Sequence, residues 1–168
     1  MASLVIALLI KLAFFTNYCD NIETAEHKID PELQGYLVSF VDLAKLKGID
    51  LTYVYGQDIY LKFYKEGHGT QVATSFGRNK DRIIIMVDRD RFYARTEEGR
   101  KYVMFHELGH DILNFEHLEH PERGMMEPTA YTGFFKNYDR FTKETQESYL
   151  YKSLNGMFDI YLTRKYPL

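Results

Sequence analysis

An α+β domain is what this sequence predicts. Two segments with apolar residues at helical spacing flank a run of short segments rich in β-branched and aromatic residues, and a third helical segment closes the chain. The 168 residues suffice for one domain with a sizeable core and are too few for two. With 45% hydrophobic and 27% charged residues, the composition is that of a globular protein.

The first residues differ from the rest. "SLVIALLIKLAFF" (3–15) is apolar except for Lys11 and precedes the polar, acidic "TNYCDNIETAEHKIDPE". It is shorter than the roughly 20 residues that cross a bilayer and fits the apolar region of a secretory leader. A buried first strand is the competing reading, because an all-apolar run has no period to type it. Cys19 is the only cysteine, so no intramolecular disulfide forms. Its place after the apolar run, followed by Asp20 and Asn21, resembles a bacterial lipoprotein, although Tyr18 departs from the small residue usual before that cysteine. The resemblance implies a leader over 1–19, a domain over 20–168, and a secreted or envelope-anchored protein tethered to the membrane through acylated Cys19. An unmodified thiol is the alternative.

Asp30 before Pro31 marks a helix start, the acid at the N-cap and the proline at the first helical position. Leu33, Leu37, Phe40 and Ala44 recur at helical spacing and Gly48 supplies the stop, which predicts a helix over 31–47. "LTYVYGQDIYLKFY" (51–64) reads as two short strands or one bent strand. "QVATSF" (71–76) and "RIIIMVD" (82–88) are further strands, separated by the turn-prone "GRNKD" (77–81). The unbroken apolar run from Ile83 to Val87 suits an interior strand.

Thr96 then opens the central helix as N-cap, with Glu97 and Glu98 in the first turn where the helix dipole favours acids. Tyr102, Phe105, Gly109 and Ile112 share one side and Val103, His106 and His110 another, so this helix is buried over much of its circumference. Gly109 costs about 1 kcal/mol of helix propensity against alanine, which a neighbour packed on the backbone would explain. A last helix over 142–162 carries Leu150, Leu154, Met157, Phe158 and Tyr161 in step. There is no internal repeat or interdomain linker.

Composition also excludes functions. The formal charge of −3, with basic and acidic residues mingled, leaves no basic stripe for nucleic acid. The 14 tyrosines and 12 phenylalanines are the stock of core and rim packing. His27 and His68 lie in polar contexts without partner spacing and receive no role.

The central helix carries "HELGHDILNFEH" (106–117), in which His106, Glu107 and His110 fit H-E-x-x-H. Histidines four apart lie about 40° apart around a helix and roughly 6 Å along it, so both imidazoles reach one ion, and the glutamate between them suits a general base. A tetrahedral catalytic zinc needs a third protein ligand. His117 would lie roughly 10.5 Å past His110 on a continued helix, so the chain must turn back before it. Asn114 is the best turn residue present, being the non-glycine type that most readily takes the left-handed conformation. Candidates for the third ligand are then His117, Glu116 and His120, in that order. Three neutral imidazoles leave the ion its full charge, which favours His117 over the carboxylate of Glu116.

Residues 106–128 resemble a metzincin zinc peptidase, and more narrowly the small secreted or lipid-anchored metzincin-like proteins of Bacteroidetes. The likeness rests on the zinc helix together with "RGMMEP" (123–128), which is similar to the family's Met-turn, with Met126 at the turn methionine and Pro128 after it. "DPELQGYLVSFVDLAKLKGIDL" (30–51) also looks like the start of such domains. In the family a glycine, two residues and a histidine complete the site; here Asn114, Phe115, Glu116 and His117 keep that spacing on a helix one residue longer. The resemblance implies a metzincin-like mixed sheet with an N-terminal helix, the zinc helix, the Met-turn and a C-terminal helix. It implies one catalytic zinc ion on His106, His110 and His117, with Glu107 as base for peptide hydrolysis and Met126 as a packing floor. The substrate is then a peptide or protein and the enzyme a monomer.

Several points stay open at this level. Tyr131, five residues past Met126, is a candidate aid to the oxyanion, and Asp111 and Glu116 are candidates to orient the imidazoles by hydrogen bonds. "QVATSF" is a candidate edge strand for holding an extended peptide. Two other functions compete: a gluzincin-like enzyme with Glu144 or Glu147 as third ligand, and a catalytically inactive metzincin-like binding protein.

Overall fold

The computed structural model describes residues 27–64, 71–77, 82–117, 124–126 and 140–165. The leader with Cys19, His68, most of the "GRNKD" turn, His120, Pro128 and Tyr131 lie outside them. Among the described residues no helix is long and apolar enough to cross a membrane.

The architecture is a mixed four-stranded sheet with helices packed on it, an α+β arrangement. In chain order the elements are β1 (His27–Ile29), α1 (Pro31–Leu46), a 3-10 turn (Thr52–Gly56), β2 (Asp58–Tyr64), β3 (Ala73–Ser75), β4 (Arg82–Asp88), α2 (Arg89–Tyr93), α3 (Glu97–Leu113), a second 3-10 turn (Gly124–Met126) and α4 (Lys143–Lys165). The strands lie in the order β1-β2-β4-β3. β1 and β4 run parallel to β2, and β3 runs antiparallel to β4, with Ala73 opposite Val87 and Ser75 opposite Ile85.

Two expected elements form where their apolar residues place them. α1 buries Leu33, Leu37, Phe40, Val41 and Ala44, and Gly48 takes a positive φ of 77° just beyond it. Asp30 sits at the N-cap but makes no capping bond; its carboxylate instead accepts the Phe63 N–H at 2.7 Å and the Lys62 ammonium at 2.9 Å, tying the helix start to β2. β4 is interior in its pairing, between β2 and β3. Only one of its faces is fully covered, since Ile83, Ile85 and Val87 are buried while Ile84 and Met86 are half-buried.

Other segments differ from expectation for local reasons. Residues 52–56 form a 3-10 turn rather than a strand, because the Asp50 carboxylate accepts both the Thr52 amide at 2.9 Å and its hydroxyl, an Asx-type turn that outcompetes the β propensity of Thr-Tyr-Val-Tyr. β1 is only three residues long, with Ile29 its one apolar side chain, and pairs with β2 through the backbone, so no apolar pattern announces it. The short α2 follows from Asp88, whose side chain caps the Arg91 N–H at 3.0 Å.

α3 runs through the centre of the molecule. It touches α1, β3, β4, the second 3-10 turn and α4. Phe40 of α1 packs on Phe105 of α3 and Phe158 of α4, with ring centroids 5.6 and 5.5 Å apart, so one aromatic joins all three helices. Encasement on all sides makes α3 the most constrained place in the fold to mount functional groups.

Candidate metal centre

The N-terminus of α3 forms as its sequence dictates, with the Thr96 hydroxyl accepting the Gly99 N–H at 3.1 Å and Glu97 and Glu98 in the first turn. One face then pins the turn at Gly124–Met126. The Tyr102 hydroxyl donates to the Gly124 carbonyl at 2.8 Å, and one helical turn on, His106 Nδ1 meets the Met125 carbonyl at 2.6 Å. Further along that face, a Cβ built on Gly109 would stand 2.7 Å from the Met126 sulfur and 2.9 Å from the Met157 sulfur. The glycine in mid-helix is thus explained by close approach of two methionines. Met126 packs against the helix as a floor, and Met125, through its carbonyl, is the residue that touches a histidine.

At its other end α3 stops at Asn114, whose φ of 54° and ψ of 37° are left-handed, the only positive φ of a non-glycine among the described residues. The chain doubles back there, and the Phe115 N–H reaches the Gly109 carbonyl at 3.1 Å. The buried Phe115 ring lies under the Arg164 guanidinium at 4.7 Å, and the Tyr53 hydroxyl satisfies the Ile112 carbonyl at 3.3 Å. The Phe115 carbonyl in turn meets His110 Nδ1 at 2.6 Å. The turn therefore both returns the chain and orients one of the imidazoles it returns to.

The result is a convergence of three rings. His106, His110 and His117 bring their Nε2 atoms to 3.2 Å from one another in all three pairings. Nitrogens bound tetrahedrally to zinc at about 2.0–2.1 Å stand roughly 3.3–3.4 Å apart, so the triangle has the dimensions of three corners of such a site. Protonation fits as well. A carbonyl only accepts, so His106 and His110 each carry their proton on Nδ1 and aim an Nε2 lone pair inward. Burial, with His110 beside it, pushes His106 down to about 3, which keeps that ring neutral and able to donate its lone pair. A three-histidine cluster able to hold a metal ion is therefore present, with His106 and His110 buried and His117 exposed.

The structure brings the predicted His106, His110 and His117 together and gives Asn114 the left-handed conformation. Glu116 is exposed and outside the cluster, and Glu144 and Glu147 are exposed on α4, so the trio assembles without any carboxylate proposed as its third member. No glutamate joins the cluster among the described residues; Glu107 is half-buried beside His106 in sequence. Backbone carbonyls hold the Nδ1 atoms of His106 and His110, and Asp111 accepts from Ser75 Oγ, the Gly77 N–H and the Ile84 N–H. Carbonyl partners leave no mark in a sequence, whereas the acidic residue beside His110 drew attention by its type. Comparison with protein-family models, with curated proteins and with solved structures finds no match to this chain.

Proposed function

We propose that this protein is a zinc-dependent peptide hydrolase of metzincin type. The observation that carries the proposal is the triangle of Nε2 atoms, two of them preset by Nδ1-to-carbonyl bonds, on a helix where Glu107 stands between the ligands. Three-imidazole sets suit zinc, copper, iron and nickel; three neutral ligands with one corner left for solvent is the catalytic zinc pattern, whereas structural zinc sites fill all four corners and favour cysteine. When bound, zinc supplies a Lewis acid and lowers the pKa of water to about 7. His106, His110 and His117 would hold it, the carbonyls of Met125 and Phe115 fix the first two rings, and Glu107 would accept a proton and return it to the leaving amine. β3 at the sheet edge is suited to align an extended peptide by strand addition. Secretion or anchoring through acylated Cys19 belongs to the same proposal.

One observation favours a second reading. Among the described residues the trio stands without a carboxylate, and a protein that binds metal without turning over peptide requires nothing more. Glu107→Gln separates the two. The enzyme reading expects zinc retained at one ion per chain and cleavage of a peptide library reduced about 100- to 10,000-fold. Absence of cleavage by the wild-type zinc protein, or equal cleavage by the variant, would overturn it.

A further inference from the structure

Asp111 is a buried carboxylate that the hydrolytic machinery does not use. It follows His110 on α3, and it gathers donors from both strands at the far side of the sheet. Its Oδ1 accepts from Ser75 Oγ, both oxygens lie 3.2 Å from the Gly77 amide, and Oδ2 accepts the Ile84 N–H at 2.9 Å. Ser75 and Ile85 are the last paired residues of β3 and β4, and Phe76 and Ile84 are the next step of that register. The Phe76 N–H still donates to the Ile84 carbonyl at 2.8 Å, while the Ile84 N–H goes to the helix carboxylate. The ladder thus ends by taking a helix side chain as a rung.

Gly77 supports the same assignment independently. A Cβ there would run into the Arg82 carbonyl and stand 2.8 Å from Asp111 Oδ2 and from the Ile84 nitrogen. The backbone is drawn in so close that no side chain fits. β3 is otherwise weakly held: it is three residues long and it is an edge strand, paired through β4 alone among the described residues.

We infer that Asp111 is a positioning residue that fixes edge strand β3 relative to the metal ligand His110, so that an extended peptide added to that edge is held in register with the metal centre. The inference rests on the peptide-hydrolase reading. A strand free to shift by an ångström would misplace the peptide, a displacement that in general lowers reaction efficiency about 100-fold.

The test uses zinc-loaded protein and two probes with the same chelating head, acetohydroxamate, too small to reach the strand, and an extended peptidyl hydroxamate that spans it. Dissociation constants are read by calorimetry for wild type, Asp111→Asn and Ser75→Ala. The wild type is expected to bind the peptidyl probe more tightly than acetohydroxamate. Asp111→Asn should weaken the peptidyl probe about tenfold or more and Ser75→Ala a few-fold, with acetohydroxamate within about twofold throughout. Equal weakening of both probes, or no change in either, overturns the positioning role while leaving the hydrolase reading intact. A wild type that binds acetohydroxamate but gains nothing from the peptide removes the hydrolase reading and this inference with it. If Asp111→Asn does not fold, Ser75→Ala carries the same comparison, because it leaves the carboxylate and both amide donors in place.

Discussion

Two of the three histidines ride on a buried helix, and the third hangs from a turn. His106 and His110 are 2% and 4% exposed, each with Nδ1 bonded to a backbone carbonyl, whereas His117 is exposed and reaches the others only because Asn114 turns the chain. The helix-borne pair is placed by tertiary packing that would persist without its imidazoles: Phe40, Phe105 and Phe158 clamp the helices, and Met126 and Met157 close on Gly109. The turn-borne ligand follows the left-handed Asn114 and the Phe115 that anchors the returning chain. The first half of the site is therefore a property of the fold and the second a property of a cap.

Loss of ligands should show this division most strongly. Substituting either His110 or His117 by alanine removes one of the three converging imidazole nitrogens and should lower zinc affinity by more than the roughly 10- to 100-fold that an outer partner contributes, as read by competition with a chromogenic chelator. The metal-free variants should differ. His110→Ala leaves the buried Phe115 carbonyl unpaired and should cost about 1–3 kcal/mol in urea unfolding. His117→Ala should stay within roughly 0.5 kcal/mol of wild type. Equal destabilisation by both would break the distinction.

Acid is the next lever. The His106 imidazole sits at about 3 in the folded chain against 6.5 without its surroundings, so between those values the unfolded chain binds the extra proton. Stability of the metal-free protein is therefore complete above about pH 6.5 and falls as pH drops toward 3, by on the order of 1.4 kcal/mol per pH unit from this group. Denaturant midpoints across that range check the sign; His106→Asn should flatten the slope.

Smaller effects separate the two supports. Gly109→Ala pushes a methyl into two methionine sulfurs and should destabilise by about 1–3 kcal/mol in thermal melts, with zinc affinity reduced through the shifted helix. Asn114→Ala puts a poorly suited residue at φ 54° and should cost about 1–2 kcal/mol, felt mainly as weaker zinc binding through His117.

The same division governs what the amino-acid sequence discloses. Apolar spacing locates α1 and α3, the Ile83–Val87 run locates β4, and the helical separation of His106 from His110 fixes half of the site before any coordinates. Asn114 is readable as the turn because few residue types tolerate that conformation. What stays hidden has no clear side-chain signature: β1 is three residues long and defined by its backbone pairing with β2, and the acceptors on the imidazoles of His106 and His110 are the carbonyls of Met125 and Phe115. Asp50 turning Thr52 away from a strand, and Asp111 gathering donors from the sheet, are choices among partners that only the folded chain makes available.

The central claim is that three imidazoles meet on one cation. X-ray absorption at the zinc edge of the reconstituted protein, paired with anomalous diffraction, tests it most directly. The account predicts one ion per chain with three nitrogen neighbours from His106, His110 and His117 at about 2.0–2.1 Å and a fourth, oxygen neighbour from solvent. A first shell that holds a carboxylate of Glu116, or that leaves His117 out, would contradict it.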